Sequence, residues 1–268
     1  MELWWAFLVL GAAVGFFAGL LGIGGGGIMV PVLTSLFMTL GFAPEHLVHQ
    51  ALATSMASII LTAAASARSH HQHQAVLWPV AAKLGVGVVL GTLVASQLAA
   101  QFDALVLAII FAVFMSYVAL QMLLNFKPKP SRQLPSSPTL TAAGAGIGAM
   151  SALVAIGGGT LTVPLLTWCN VKMQQAIGTS AAVGLPIAIT GTVGYIIAGW
   201  GASGMPPYSV GFVYLPAVVL ISLVSVFTAP LGVRLAHRLP VAVLKKVFAL
   251  LLFGLAGKML LTVVGSAA

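Results

Sequence analysis

The sequence predicts an all-α integral membrane protein made of two inverted-topology repeats, and three observations carry that prediction. Of 268 residues, 60% are hydrophobic and 5% are charged, whereas soluble domains carry roughly 25% charged residues. So little charge cannot cover a soluble surface with water-compatible groups. Apolar stretches such as 3–21 and 247–264 reach the ~20 residues that cross a bilayer core as a helix. Finally, the second half of the chain echoes the first.

Laying residues 15–33 over 148–166 brings Gly15 onto Gly148, Gly24-Gly25-Gly26 onto Gly157-Gly158-Gly159, and Val30-Pro31 onto Val163-Pro164. Further on, Gln50-Ala51-Leu52-Ala53-Thr54-Ser55 matches Gln175-Ala176-Ile177-Gly178-Thr179-Ser180, and Leu98-Ala99 and Phe111 fall on Leu235-Ala236 and Phe248. The order is kept through most of both halves.

The opening stretch MELWWAFLVL carries Glu2 and no cation, and no small-residue cleavage site follows it. It is expected to stay as the first helix rather than leave as a signal peptide. Apolar segments are then predicted at about 3–21, 27–41, 47–67, 75–97 and 103–125 in the first half. In the second half they are predicted at about 139–156, 160–170, 174–199, 210–233 and 243–264. This gives about eight to ten membrane segments, with helices that are glycine-interrupted or re-entrant. Between the repeats, which occupy 1–126 and 139–268, the stretch 127–138 holds Pro128, Pro130, Pro135 and Pro138 with Lys127, Lys129 and Arg132. It reads as a solvated linker.

Charge orients this arrangement. The net charge of +8 would suggest nucleic acid in a soluble protein; here the cations sit in short links between apolar runs, and no nucleic-acid partner is expected. One side of the membrane receives Arg68, Lys127, Lys129, Arg132, Lys172, Arg234, Arg238, Lys245 and Lys246, and the other receives Glu2, Glu45 and Asp103. The cationic side is expected to be cytoplasmic, with both termini periplasmic. Five segments per half is an odd number, so the second half enters the membrane upside down. Inverted repeats are a recurring plan of secondary transporters.

Read alone, Gly22-Ile23-Gly24-Gly25-Gly26-Gly27 satisfies the G-x-G-x-x-G pattern of a dinucleotide turn. That turn needs a strand before it and an acidic residue in a βαβ context. Glu45 has the spacing but not the context, and the copy Gly157-Gly158-Gly159-Thr160 breaks the pattern. Nucleotide binding is rejected, and no cofactor is expected. Close helix packing favours glycines spaced by four, while a run of them abolishes the helix locally. A broken helix facing a covered cavity is the better account. Its restarted end presents free N–H groups and a positive dipole end, which suit an anion. Two such ends, from Gly24, Gly25, Gly26 and Gly27 and from Gly157, Gly158, Gly159 and Thr160, would face one small anionic substrate near the midplane. Pro31 and Pro164 are expected near first-turn positions, where a missing N–H costs little.

Thr54-Ser55 and Thr179-Ser180 have two readings: neutral donors that complete an anion cage, or interhelical hydrogen bonds. Lys83 and Lys258 lie inside segments but near enough to helix ends to reach the interface. His70, His71 and His73 have no Cys, Asp or Glu beside them and no histidine in the matching stretch 195–199; they read as an exposed interfacial loop rather than a metal site. The three acidic residues are all peripheral, so no buried carboxylate pair is available for hydrolysis, and an enzyme is not expected. The lone Cys169 excludes an internal disulfide.

On GLLGIGGGGIMVPVL and ALVAIGGGTLTVPLL, each followed by QALATS or QAIGTS, the chain resembles the sulfite exporter TauE/SafE family over nearly its whole length. The resemblance implies a multi-pass permease of the bacterial inner membrane that moves a sulfur-containing anion such as sulfite or an organosulfonate, mostly outward. It also implies that the glycine and Thr-Ser positions are the recurring features of the site. Two rivals remain open: a permease for another small anion or a metal cation, and a non-transporting membrane scaffold.

Overall fold

The computed structural model describes residues 3–21, 25–124, 133–236 and 241–267. Gly24, Lys127, Lys129, Arg132 and Arg238 lie outside the described residues. In chain order the elements are α1 (Trp4–Leu21), α2 (Gly26–Thr39), a 3₁₀ turn (Pro44–His46), α3 (Leu47–Gln72), α4 (Trp78–Ala99) and α5 (Ala104–Leu123). There follow α6 (Ser137–Val154), α7 (Gly159–Trp168), α8 (Met173–Ala198), β1 (Ser209–Val210), β2 (Val213–Tyr214), α9 (Leu215–Ala236) and α10 (Val241–Ala267).

Each predicted segment corresponds to a helix within a few residues, with one local exception. The run predicted at 210–233 begins as an antiparallel hairpin, with Ser209 opposite Tyr214 and Val210 opposite Val213. Gly211 turns it with φ +56°, and a β-carbon there would meet the Ile196 backbone. Apolar content alone does not separate Ser-Val-Gly-Phe-Val-Tyr from a helix start, whereas its β-branched residues and central glycine favour a turn.

Among the described residues five helices are long and apolar enough to cross a membrane: Pro44–Gln72, Trp78–Ala99, Ala104–Leu123, Met173–Ala198 and Lys246–Gly265. Trp4–Ala18, Gly26–Thr39 and Leu215–Leu231 are shorter apolar helices. The outward faces are apolar too. Val86, Leu90 and Val94 on α4, and Ile109, Val113 and Tyr117 on α5, are exposed at helical spacing. In water such a continuous apolar belt would be an aggregation surface; in a bilayer it meets lipid. The chain is therefore an all-α integral membrane protein.

The two halves are packed through each other. α1 lies along α9 and α4 along α6, while α3 packs on α8 and α5 on α10; α3 also meets α9, as α4 meets α8. Exchanging α1–α5 for α6–α10 maps this set of pairs onto itself. The match extends to single residues. A β-carbon at Gly11 would come 2.6 Å from the Ile221 carbonyl oxygen, and one at Gly144 would meet the carbonyl of Leu84. Likewise Gly15 faces Ser225 and Thr228, and Gly148 faces Val88 and Thr92. Glycines four apart remove the β-carbons that would hold the backbones apart. In lipid, where no hydrophobic drive pulls helices together, that close approach supplies the packing energy.

Gly148→Ala and Gly15→Ala should therefore each lower the thermal unfolding midpoint of the detergent-solubilised protein, overpacking of this kind costing roughly 1–3 kcal/mol. Gly146 lies on the same helix α6 with nothing within 4 Å of a β-carbon. Gly146→Ala should leave the midpoint unchanged or raise it, and equal losses at both α6 positions would show that backbone proximity is not the cause.

Candidate functional site

The described part of the first glycine run opens a helix and the second run separates two helices, as their composition predicts. α1 stops at Leu21 and α2 starts at Gly26, with Gly25 at its N-cap. α6 ends on Ala155 in the left-handed region (φ 49°, ψ 40°), and α7 restarts from Gly158 with φ 66°. Left-handed backbone at Gly158 costs little because glycine has no β-carbon. At Ala155 it is a strained conformation for an alanine, held by burial of the residue.

The two breaks meet. A β-carbon on Gly26 would collide with the Ala155 carbonyl oxygen, so the start of α2 rests directly on the end of α6. Beside this crossing lies a void of ≈ 10 Å³ lined by Gly27, Met115, Ile156, Thr160, Phe248 and Leu252. Its lining follows the internal repeat: Thr160 stands opposite Gly27, and Leu252 stands opposite Met115 in the register that pairs Phe111 with Phe248. The void has room for about one water, so this conformation is closed around the crossing.

The polar groups here are unusually short of partners. Thr160 Oγ1 makes no hydrogen bond, and neither do Thr162 Oγ1 and Ser151 Oγ nearby in sequence. The Thr160 N–H has no acceptor among the described residues, whereas Gly159 N–H donates to the Gly157 carbonyl at 2.7 Å and Thr162 N–H to the Gly158 carbonyl at 2.8 Å. Pro31 and Pro164 sit in the interiors of α2 and α7, beyond the first turn in which they were expected. Each lacks the N–H that would bond four residues back, to the carbonyls of Gly27 and Thr160. Each break therefore combines a helix start with a carbonyl relieved of its usual donor.

The Thr-Ser pairs sit about one turn away along α3 and α8. Ile59, a turn beyond Ser55, lies 3.5 Å from a Gly26 β-carbon position; Gly184, a turn beyond Ser180, has the Gly157 carbonyl oxygen 3.0 Å from its own. Thr54 Oγ1 accepts the Tyr214 N–H at 3.1 Å, and Thr179 Oγ1 accepts the Leu77 N–H at 3.0 Å. These are matching bonds: each takes the last N–H before α9 or α4 enters the bundle from the opposite half. An accepting hydroxyl keeps its own proton, so both threonines still hold a donor. Ser180 Oγ donates to the Ile177 carbonyl at 2.8 Å, while Ser55 Oγ is fully buried without a partner.

Sequence reading passed over the other buried hydroxyls. Ser58 donates to the Thr54 carbonyl at 2.8 Å, and its own carbonyl accepts Ser222 Oγ at 3.3 Å. Gln50, Thr54 and Ser58 recur every four residues, and that periodicity was the available signal for a polar seam. Lys83, Lys172 and Lys258 are exposed and line none of this. The histidine cluster is also elsewhere: His71 Nδ1 accepts the Trp78 indole N–H at 3.1 Å, and His73 Nδ1 meets the Ser69 carbonyl at 2.8 Å. Among the described residues no three His, Cys, Asp or Glu side chains converge on a metal-sized site.

Comparisons with known proteins give the family. The chain is 38% identical to a probable membrane transporter protein of Haemophilus influenzae, covering 95% of this chain and 97% of that one. A probable membrane transporter protein of Methanocaldococcus jannaschii is 24% identical over 87% of this chain and 86% of its own length. Another, from Bacillus subtilis, is 25% identical over 87% of this chain and 90% of its own. No solved structure matches the chain. The sulfite exporter TauE/SafE family matches residues 7–259, and the chain, a membrane transporter by its family and relatives, belongs to that family.

Proposed function

We propose that the protein is a secondary transporter that exports a small sulfur-containing anion, sulfite or an organosulfonate, by alternating access. The observation that carries this reading is the meeting of two broken helices at Gly26 and Ala155 beside unpartnered hydroxyls. Lipid cannot satisfy such groups, and burying them unpaired costs roughly 1–3 kcal/mol each. A substrate oxyanion would supply acceptors to the Thr160 N–H and to the hydroxyls of Thr160 and Ser55, with the helix starts adding positive potential. In this reading Gly25, Gly26, Gly27, Gly157, Gly158 and Gly159 furnish the backbone of this cage, Gly24 lying outside the described residues, and Thr54, Thr179 and Ser180 its outer layer. No side-chain cation is needed, so release stays possible.

The void at the crossing is too small for an oxyanion with several heavy atoms. Binding therefore requires the helices to part, which is the movement alternating access needs. The exchange-symmetric packing supports two repeats, 1–126 and 139–268, joined by a cytoplasmic linker at 127–138. In this reading they are inverted, in a bacterial inner membrane, with both termini periplasmic. The name of the matched family supports sulfite as the first substrate to test. The rival of a metal permease rests on His70, His71 and His73, whose partners are local.

Reconstituted in liposomes, the protein should carry labelled sulfite or methanesulfonate, and no anion flux across a broad panel of sulfonates, sulfite and sulfate would sink the proposal. Thr160→Val keeps the shape but removes the hydroxyl. A hydrogen bond to a charged group is worth ~1.5–3 kcal/mol, so the apparent affinity should fall about tenfold or more. A scaffold subunit would show no such change. Replacing His70, His71 and His73 together by alanine should leave flux within about twofold; abolition would favour the cation rival. For topology, a reporter fused after residue 130 should be cytoplasmic and one after residue 204 periplasmic. The reverse result for either would break the inversion.

A further inference from the structure

At the end of the bundle away from Arg68 and His70, a second and larger cavity of ≈ 360 Å³ opens where the 3₁₀ turn before α3 meets the α4–α5 link. Its lining includes Glu45, His46, His49, Gln101, Asp103 and Val263. Two of the chain's three acidic residues thus share one cavity. Burial deepens inward: Glu45 and Asp103 are exposed, His46 is half-buried, and His49 is 3% exposed. His46 and His49 have ring centroids 6.1 Å apart, and His49 stacks on Phe212 at 5.2 Å with the rings 30° from parallel.

The hydrogen bonding of His49 assigns its tautomer. Nε2 lies 3.0 Å from the Ala99 carbonyl oxygen, which only accepts, so Nε2 carries the proton. Nδ1 then carries the lone pair, buried with no partner at hydrogen-bond distance, while the backbones of Glu45 and Phe102 lie beside the ring. An unpartnered imidazole nitrogen at the bottom of a cavity with a carboxylate mouth suits a cation. Metal ions are poorly served, because no three ligating side chains converge among the described residues. The remaining cation is the proton.

We propose that His49 is a proton-binding site through which transport is coupled to proton movement. The Nδ1 lone pair takes one proton from the cavity, passed by way of Glu45, Asp103 or His46, and the neutral ring becomes an imidazolium that keeps its Nε2–H bond to Ala99. The same proton later leaves Nδ1, so no other bond changes. The titratable groups facing His49 from the packed elements are Glu45 and His46 on the 3₁₀ turn and Asp103 at the start of α5. The carboxylates would offset the new charge; His46 would oppose it if protonated too. His49 adjoins Gln50, the first member of the seam Gln50, Thr54 and Ser58, and its stacking partner Phe212 precedes the Tyr214 that Thr54 holds. A charge appearing on the ring therefore acts on the contact between α3 and the β-hairpin of the second half. Its link to substrate rests on the anion-transport reading, whereas proton binding itself does not.

The test uses the full-length protein in liposomes with a trapped pH dye and labelled methanesulfonate, an anion that does not itself titrate near neutrality. Wild type should move protons in a fixed ratio to methanesulfonate. In His49→Gln, whose amide can still donate to Ala99, the ratio of protons to sulfonate should fall at least tenfold. His71→Gln should keep it. Sulfonate flux without protons in wild type, or an unchanged ratio in His49→Gln, overturns the proposal. If wild type carries no sulfonate, the anion reading moves to sulfite and sulfate, and a second measurement decides the site alone. In ¹⁵N-histidine spectra of the protein in nanodiscs, the signal missing from His49→Gln should be a neutral Nε2–H ring at pH 8 that gains its second proton by pH 5. A ring that stays neutral throughout that range overturns the proposal.

Discussion

Hydrocarbon cannot hydrogen-bond a peptide group, so a helix interrupted inside a membrane must be covered by protein. This constraint governs the molecule. The glycine runs break two helices, and the breaks are laid against each other, Gly26 on Ala155, so that each covers part of its counterpart. Bringing them together demands that the helices around them come close. Gly11 and Gly15 let α1 settle on α9, and Gly144 and Gly148 let α6 settle on α4. α2 is thereby covered by α3 of its own half and by α10 of the other, while α7 rests on α8 of its own half.

The same constraint explains why some readings succeeded at the level of sequence and others could not. Segment limits were legible because bilayer thickness sets a length and glycines set the interruptions. The breaks at Gly25 and Gly158 were legible because successive glycines serve no packing face. The partners of those faces were not. Gly11 and Gly15 announce a close approach, but nothing in their spacing names Ile221 and Ser225 as the residues approached. Thr54 and Thr179 were visible as a duplicated pair, while the N–H groups they accept, at Tyr214 and Leu77, come from the opposite half. His49 carried no signal of its own: its meaning depends on Ala99 occupying one nitrogen and nothing occupying the other.

Hydrogen bonds between membrane helices are modest in strength, averaging ~0.6 kcal/mol in direct measurements. The bonds of Thr54 and Thr179 are of this kind, and they tie helix entries rather than helix centres. Bonds this weak can yield when helices slide, whereas glycine-on-backbone contacts cannot stretch gradually, because their energy depends on close approach. The tightly nested pairs α1 with α9 and α4 with α6 thus suit rigid units. The crossing of α2 on α6, next to a void and unpartnered hydroxyls, suits the place where units separate. That division follows from contact type and does not require any loop to act as a lid.

The departures from symmetry then acquire a role. In the proposed inverted arrangement, two identical halves would make the inward-facing and outward-facing forms mirror each other and share one free energy. This chain places Gly27 opposite Thr160 and Met115 opposite Leu252, and it gives α2 14 residues against 10 in α7. In that arrangement each difference would stabilise one facing form more than the other. A gap of a few kcal/mol suffices to leave the minor form at 0.1–10%. The hydroxyl of Thr160 stands on only one side of the crossing, so an anion bound there would also favour one form. Proton binding at His49 adds a second bias of the same type, because no histidine occupies the corresponding start of α8, where Gln174 precedes Gln175. In the proposed arrangement an inverted repeat would supply the two forms, and the residues in which its copies differ would determine which form rests and what moves it.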